Sequence, residues 1–270
     1  MVTVREITAK TILTKSGIPG AEYVINPYVG CAHECLYCYA RFMKRFSHHP
    51  EPWGRFVDAR INAPELVPRK PGKYGSSVML SSVTDCYQPL ERKYRLTGKV
   101  LERLLYLQPR LNILTKSDLV TRDIELLKQF RDLTVSFSLS TPDDAIARQV
   151  EPGAAPPSRR FDALRVLHEA GIHTVIFVSP ILPEITDWRT IIEKGRGIAD
   201  EFWFENLNLY PAAREQLFRW FAARDPELIA KYRSIYSPAS IYWDMEADAI
   251  RDYCQENSLD CSIYFHHSHR

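Results

Sequence analysis

The sequence predicts an α/β fold, a partial TIM-like (β/α)6 barrel with a mostly helical C-terminal extension. Three observations predict it. Apolar runs of strand length alternate with amphipathic stretches of helix length. Several runs are continuous, such as Thr-Val-Ile-Phe-Val at 174–178, as in parallel strands covered on both faces. The 270 residues suit one barrel of ~250 residues.

The expected strands are 23–29, 77–82, 111–115, 134–139, 174–179 and 202–209, with 262–265 as a short closing strand. Between them, Val100, Leu101, Leu104 and Leu105 share one face of a helix over 97–107. Ile124, Leu127 and Phe130 mark a helix over 122–131. Phe161, Leu164, Leu167 and Ala170 stripe 158–170, and Gly171 stops it. Trp188, Ile191 and Ile192 repeat the pattern over 187–199. Beyond Tyr210 the chain reads as helices over 216–223, 226–234 and 245–254. This gives a lead-in over 1–20, a core barrel over 21–210, and a cap over 211–270 packed on the same domain.

Composition sets limits. Hydrophobic residues at 45% and charged residues at 25% build a packed core and exclude global disorder. Lys and Arg number 35 against 33 Asp and Glu, so net charge alone predicts no nucleic acid. No apolar run of ~18 residues exists to span a membrane. The N-terminus lacks the apolar region of a secretory signal, so the expected compartment is the cytoplasm. Six cysteines in a reducing compartment are not a disulfide framework. Cys31, Cys35 and Cys38 crowd together, while Cys86, Cys254 and Cys261 stand apart. In such a barrel the chemistry sits at the C-terminal ends of the strands. The segments to read are therefore 30–38, 82–88, 116–117, 138–142, 180–183 and 206–210.

The run Gly30-Cys31-Ala32-His33-Glu34-Cys35-Leu36-Tyr37-Cys38-Tyr39 follows the first strand. Two readings fit it. A structural zinc site normally wants a fourth protein ligand, and none is nearby except His33 within the loop. Three cysteines also suit a [4Fe–4S] cluster with one iron left free of protein, which is the open position a catalytic centre needs.

The Cys-x3-Cys-x-aromatic-Cys spacing, with Tyr37 as the aromatic, resembles the radical S-adenosylmethionine (SAM) superfamily. Further segments narrow the likeness: Ser81-Ser82-Val83-Thr84-Asp85-Cys86-Tyr87-Gln88-Pro89, Thr115-Lys116-Ser117, Ser136-Phe137-Ser138-Leu139-Ser140-Thr141, Glu151-Pro152-Gly153, and Val178-Ser179-Pro180-Ile181-Leu182-Pro183. As a set, over roughly 26–187, they resemble the spore photoproduct lyase-like branch, often labelled DNA repair photolyase-like. The resemblance implies a barrel of the radical SAM type and two cofactors, a [4Fe–4S] cluster and S-adenosyl-L-methionine. The free iron would bind SAM, and an electron from the cluster would cleave it to a 5′-deoxyadenosyl radical. The resemblance also assigns roles. Cys31, Cys35 and Cys38 hold the cluster, and the Tyr37 backbone faces adenine. Thr84 lies near the methionyl end of SAM, and Lys116 pairs with its carboxylate. Ser138 or Ser140 bonds the ribose or the amino acid end. Val178 and Ile181 line the adenine pocket, and Glu151 and Arg160 pair across the site. The lyases carry a hydrogen-donor cysteine near the tip of the second strand. Here that place is empty, and Cys86, a few residues later, is the substitute.

Plainer readings stand beside these. Lys116 suits a solvated loop, and Ser138 and Ser140 suit one polar side of a strand. Glu151 with Arg159 or Arg160 suits a surface ion pair. Cys86 suits a small buried residue. Cys254 and Cys261 are too few for a second cluster, and His266, His267 and His269 read as a frayed polar terminus. His48 and His49 read as loop residues.

Between 39 and 73, eight Lys and Arg (Arg41, Lys44, Arg45, Arg55, Arg60, Arg69, Lys70, Lys73) stand against three acids, interleaved with Phe42, Phe46, Trp53 and Phe56. This suits phosphate contacts with base stacking, an anionic small molecule, or a solvated helix face. Residues 244–260 carry six acids and one Arg and would repel a duplex. The expected function is thus a radical SAM enzyme acting on a nucleic acid lesion, a small molecule or a peptide. Its expected partner is an external electron donor of flavodoxin or ferredoxin type. The alternative is a non-enzymatic zinc-binding nucleic-acid module.

Overall fold

A computed structural model of the chain describes residues 2–69 and 77–266. Its strands are β1 (Thr3–Ile7), β2 (Leu13–Lys15), β3 (Tyr23–Ile25), β4 (Tyr28–Val29), β5 (Phe56–Arg60), β6 (Ser77–Leu80), β7 (Arg110–Thr115), β8 (Leu133–Ser138), β9 (His173–Ile181), β10 (Glu201–Asn206) and β11 (Cys261–Ile263). The main sheet has the order β11-β10-β9-β8-β7-β6-β3-β2. From β3 to β11 every pairing is parallel, and β2 alone runs antiparallel, against β3. Strands β2 and β11 are its two edges, so the barrel is partial.

The helices are α1 (Glu91–Tyr94), α2 (Leu96–Leu104), α3 (Ile124–Leu127), α4 (Asp144–Val150), α5 (Pro157–Glu169), α6 (Trp188–Gly195), α7 (Pro211–Arg224), α8 (Glu227–Ile235) and α9 (Tyr242–Glu256). Local chemistry fixes several starts. The Asp143 side chain accepts from the Ala145 and Ile146 N–H groups, and Asp187 accepts from that of Thr190. Each satisfies donors that a first turn leaves orphaned. Proline opens α5 and α7, where its missing N–H costs nothing.

The main core lies between the outward face of the sheet and the helices. Ile113, Val135, Ile176, Val178, Phe202 and Phe204 pack there against Val100, Leu164, Trp188 and Ile192. Trp243, Ile250 and Cys254 of α9 join the same cluster. The inward face is more polar and aromatic, as strand alternation requires.

Two expectations need correction, and one segment holds strands that were not expected. The strand expected over 23–29 is two strands, because Asn26-Pro27 interrupts it and proline cannot donate to a ladder. Its second half, β4, joins β1 and β5 in a separate sheet of order β1-β5-β4. The helix expected over 122–131 shortens to α3, behind a 3-10 turn over Asp118–Asp123. There the Asp123 carboxylate is taken by the Tyr87 hydroxyl and Arg122. The lead-in over 1–20 contains β1 and β2, too short and too exposed to show a period. No helix among the described residues is long and apolar enough to cross a membrane.

Candidate active site

The thiol loop begins at Gly30, with φ +86, where a Cβ would strike the Phe56 carbonyl oxygen. Two neighbouring segments pin it. From the end of β6, Thr84 Oγ1 donates to the Gly30 carbonyl at 2.6 Å. Gln88 Nε2 donates to the same carbonyl at 3.2 Å, while its Oε1 accepts from the Ala32 N–H at 3.0 Å. From the turn after α4, the Gly153 N–H donates to the His33 carbonyl at 3.0 Å, and the Leu36 N–H donates to Val150 at 2.9 Å. A Cβ on Gly153 would run into the Ala32 carbonyl.

This holds three free cysteines in one neighbourhood, Cys35 buried and Cys31 and Cys38 half-buried. Burial pushes the Cys31 thiol up to about 12 and raises Cys35 and Cys38 as well. The charges of Cys31 and Cys38 add to the rise at Cys35, so the three groups sense one another. Opposing this, the His33 and Asp85 backbone lowers Cys31, and the Trp53 side chain and Ala40 backbone lower Cys38. Such donors stabilise thiolate, the form that binds metal. Among the described residues, no three His, Cys, Asp or Glu side chains converge on one point as a single ion requires. Three free thiols on one pinned loop, with no fourth ligand converging on them among the described residues, fit a cluster better than a mononuclear site.

Beside the thiols lies a second group. Lys116, just past β7, donates from Nζ to Ser138 Oγ and stands 5.6 Å from the centre of the Tyr37 ring. Burial pulls its pKa down, and Cys35 holds it up. The Glu151 carboxylate, wholly buried, accepts from Arg160, from the Tyr37 hydroxyl, and from Ser140 Oγ at 2.9 Å. Burial raises its pKa, and the Arg160 guanidinium pulls it back. Arg160 also donates to the carbonyls of Ser138 at 2.8 Å and Ala155 at 2.6 Å. Arg159 pairs instead with Asp118, as an exposed pair.

A polar row continues across the sheet. Ser138 Oγ donates to the Ser179 carbonyl at 2.7 Å, Ser179 Oγ donates to Glu205 at 2.5 Å, and His266 Nε2 lies 2.7 Å from Glu205. On the same inward face, Phe177, Trp203 and Tyr264 meet edge to face at 6.0 to 6.3 Å.

The structure therefore brings Cys31, Cys35, Cys38, Tyr37, Thr84, Lys116, Ser138, Ser140, Glu151 and Arg160 together. It does not bring Val178, Ile181 or Cys86 to the mouth. Val178 and Ile181 are sealed in the core: alternation along β9 turns Phe177 and Ser179 inward, and an irregularity in register between Val178 and Ile181 returns Ile181 to the core face. Cys86 is fully buried beside Tyr87, and Thr97 Oγ1 donates to its carbonyl at 2.6 Å. That is the environment of a packing residue, not of an accessible hydrogen donor. His266 is tied to Glu205 rather than frayed, while Lys70, Lys73, His267 and His269 lie outside the described residues. His49 lies in a loop, as expected, but is buried there between Asp58 at 2.8 Å and Glu51 at 3.2 Å.

Sequence reasoning gave no role to Asp85, Gln88, Asn26 or Glu205. Asp85 accepts from Thr115 Oγ1 and the N–H groups of Lys116 and Tyr87 at 2.7 to 2.8 Å, joining β6 to β7 below Lys116. Asn26 Oδ1 accepts from the Ser82 and Val83 N–H groups. For Asn26 the signal was a short polar residue just past a strand end, whereas Glu205 lies within β10 and offered none.

Comparison with known proteins is consistent with this geometry. The family model described as the Radical SAM superfamily matches residues 25–193. An uncharacterized protein of Methanocaldococcus jannaschii is 39% identical over 78% of this chain and 79% of its own length. A radical SAM Nalpha-GlyT isomerase of Pseudomonas phage M6 is 25% identical over 78% of this chain and 45% of its own length. Among solved structures, spore photoproduct lyase complexed with dinucleoside spore photoproduct superposes with a TM-score of 0.72 at 16% identity, over 97% of this chain and 82% of that one. A variant of that lyase with bound AdoMet and the dinucleoside has a TM-score of 0.65 at 15% identity, with the same coverage.

Proposed function

Because the chain belongs to the radical SAM superfamily and is a radical SAM enzyme, we propose that Cys31, Cys35 and Cys38 hold a [4Fe–4S] cluster and that SAM lies between it and Lys116. The observation that carries this reading is that three free thiols share one pinned loop, and the Lys116 ammonium stands 5.6 Å from the ring of Tyr37 on that same loop. Held by these cysteines, a cluster would supply the electron, taken from the external donor, for reductive cleavage of SAM.

The chain's own residues bind and orient. An ammonium has three donors. Ser138 takes one from Lys116, which leaves others for the SAM carboxylate. Glu151, fixed by Arg160, holds the Tyr37 hydroxyl and keeps that ring beside Lys116. Ser140 is spent on Glu151 and acts as a positioning residue. Thr84 and Gln88 fix the backbone of the thiol loop. The substrate end of the mouth is the edge with Ser179, Glu205 and His266, where Phe177, Trp203 and Tyr264 offer ring surfaces. Its partners in this reading are an external electron donor and a substrate. The dinucleoside held by the superposed lyase makes nucleic acid the first class to test.

Anaerobic reconstitution with iron and sulfide tests the proposal. The expected result is a brown protein that cleaves SAM under reduction, and a Cys35→Ala variant that does neither. Stoichiometric zinc without a chromophore, or SAM cleavage retained in Cys35→Ala, would overturn it.

A further inference from the structure

We propose that the 3-10 helix Tyr39–Phe46 and α7 together form the docking surface for an acidic one-electron donor of flavodoxin or ferredoxin type. This rests on the cluster reading. It adds where the electron enters.

Both elements cover the thiol loop from outside. Leu217 and Phe221 of α7 pack in one apolar cluster with Cys35 and Tyr37. The 3-10 helix starts directly after Cys38, and the Arg41 guanidinium donates to the Cys35 carbonyl at 2.9 Å. With a rise of ~2 Å per residue, Phe42 lies only ~8 Å along the axis from Cys38. The outer surface of these elements is basic and aromatic. Phe42 and Phe46 are 47% and 59% exposed, with the Arg45 guanidinium 4.5 Å from the Phe46 ring. Lys44 and Arg45 lie in the last turn of the 3-10 helix, and α7 carries Arg214, Arg219 and Arg224 exposed at positions around its circumference. Glu215 offsets Arg219 alone. A substrate must reach the barrel mouth, but an electron donor needs only the shortest approach to the thiols. Positive charge on that approach selects an acidic protein and speeds its encounter.

The test uses the full chain as purified and a bacterial flavodoxin. Calorimetric titration should show binding that weakens as salt rises. Lys44→Glu with Arg45→Glu, or Arg214→Glu with Arg224→Glu, should weaken it about tenfold or more. Lys99→Glu with Arg103→Glu, on α2, should not. In cluster-loaded protein, bleaching by reduced flavodoxin should slow by a similar factor in the face variants, while bleaching by dithionite stays unchanged. Equal affinity and equal flavodoxin-driven rate in wild type and face variants would overturn the proposal. So would a single-stranded oligothymidine that binds the wild type and is lost in the face variants while flavodoxin binding persists, because the surface would then serve nucleic acid. If no cluster forms, the cluster reading fails on its own, and the binding titration still decides docking.

Discussion

The Lys116 ammonium stands 4.0 Å from the Glu151 carboxylate, a carboxylate already engaged by Arg160. At that separation Lys116 feels the charge without spending a hydrogen bond on it. Its partial burial lowers its pKa, which the nearby negative groups only partly offset. A partly buried cation with unspent donors, on the strand end beside the thiol loop, suits the anion-binding role proposed for it.

Lys116→Met should therefore weaken SAM binding more than it weakens the fold. A charge-assisted hydrogen bond contributes about 1.5–3 kcal/mol, so affinity should fall about 10- to 100-fold. Stability should change by less than about 1 kcal/mol, because removing the ammonium also removes its desolvation penalty. Calorimetric titration with SAM and thermal unfolding of the same variant check this. Unchanged SAM affinity would place Lys116 outside the site.

Arg160→Met should do the reverse. It leaves the Glu151 carboxylate buried without its counter-charge, and breaking such a pair costs about 3–5 kcal/mol. The double variant Arg160→Met with Glu151→Met should be more stable than Arg160→Met alone, since it removes the orphaned charge too. Urea unfolding of the three proteins measures the difference.

How much of this the sequence discloses follows from how local each signal is. The thiol loop is legible because its three cysteines lie within eight residues. The parallel strands β6 to β10 are legible because burial on both faces leaves continuous apolar runs. Glu151 and Arg160 came from the family likeness, and only the fold shows the pair buried rather than exposed. Asp85 and Glu205 were opaque because their partners arrive from other strands, Asp85 receiving Thr115 and Glu205 receiving Ser179. The small sheet was opaque because β1 and β5 pair across some fifty residues with no shared pattern. Cys86 misled because proximity in sequence to a strand tip does not tell which face a side chain takes.

Gly153→Ala should separate the turn after α4 from the thiol loop. The added Cβ meets the Ala32 carbonyl, which is backbone and cannot rotate away. Overpacking of this kind costs about 1–3 kcal/mol. The Gly153 N–H to His33 bond should weaken with it, and cluster loading should become incomplete. Denaturation reports the first effect, and the iron-to-protein ratio after anaerobic reconstitution reports the second. Full iron content at wild-type stability would show that the turn does not support the loop.

The C-terminal tether offers a test in pH. The hydrogen bond to Glu205 raises the His266 pKa above its ordinary value of 6.5. Protonated imidazole is thus favoured in the folded state, so the tether is at full strength below the unfolded pKa and is lost as pH rises through the folded one. Because the pair is nearly half exposed, the gain is modest and screened by salt. Proton NMR of the His266 ring should titrate above the unfolded value, and Glu205→Gln should bring it back down. The backbone bond from the His266 N–H to Asn206 Oδ1, 2.8 Å long, does not titrate and should keep the tail in place on both sides of the transition. A His266 signal already at the random-coil value in the wild type would mean that Glu205 is free to face substrate without this partner.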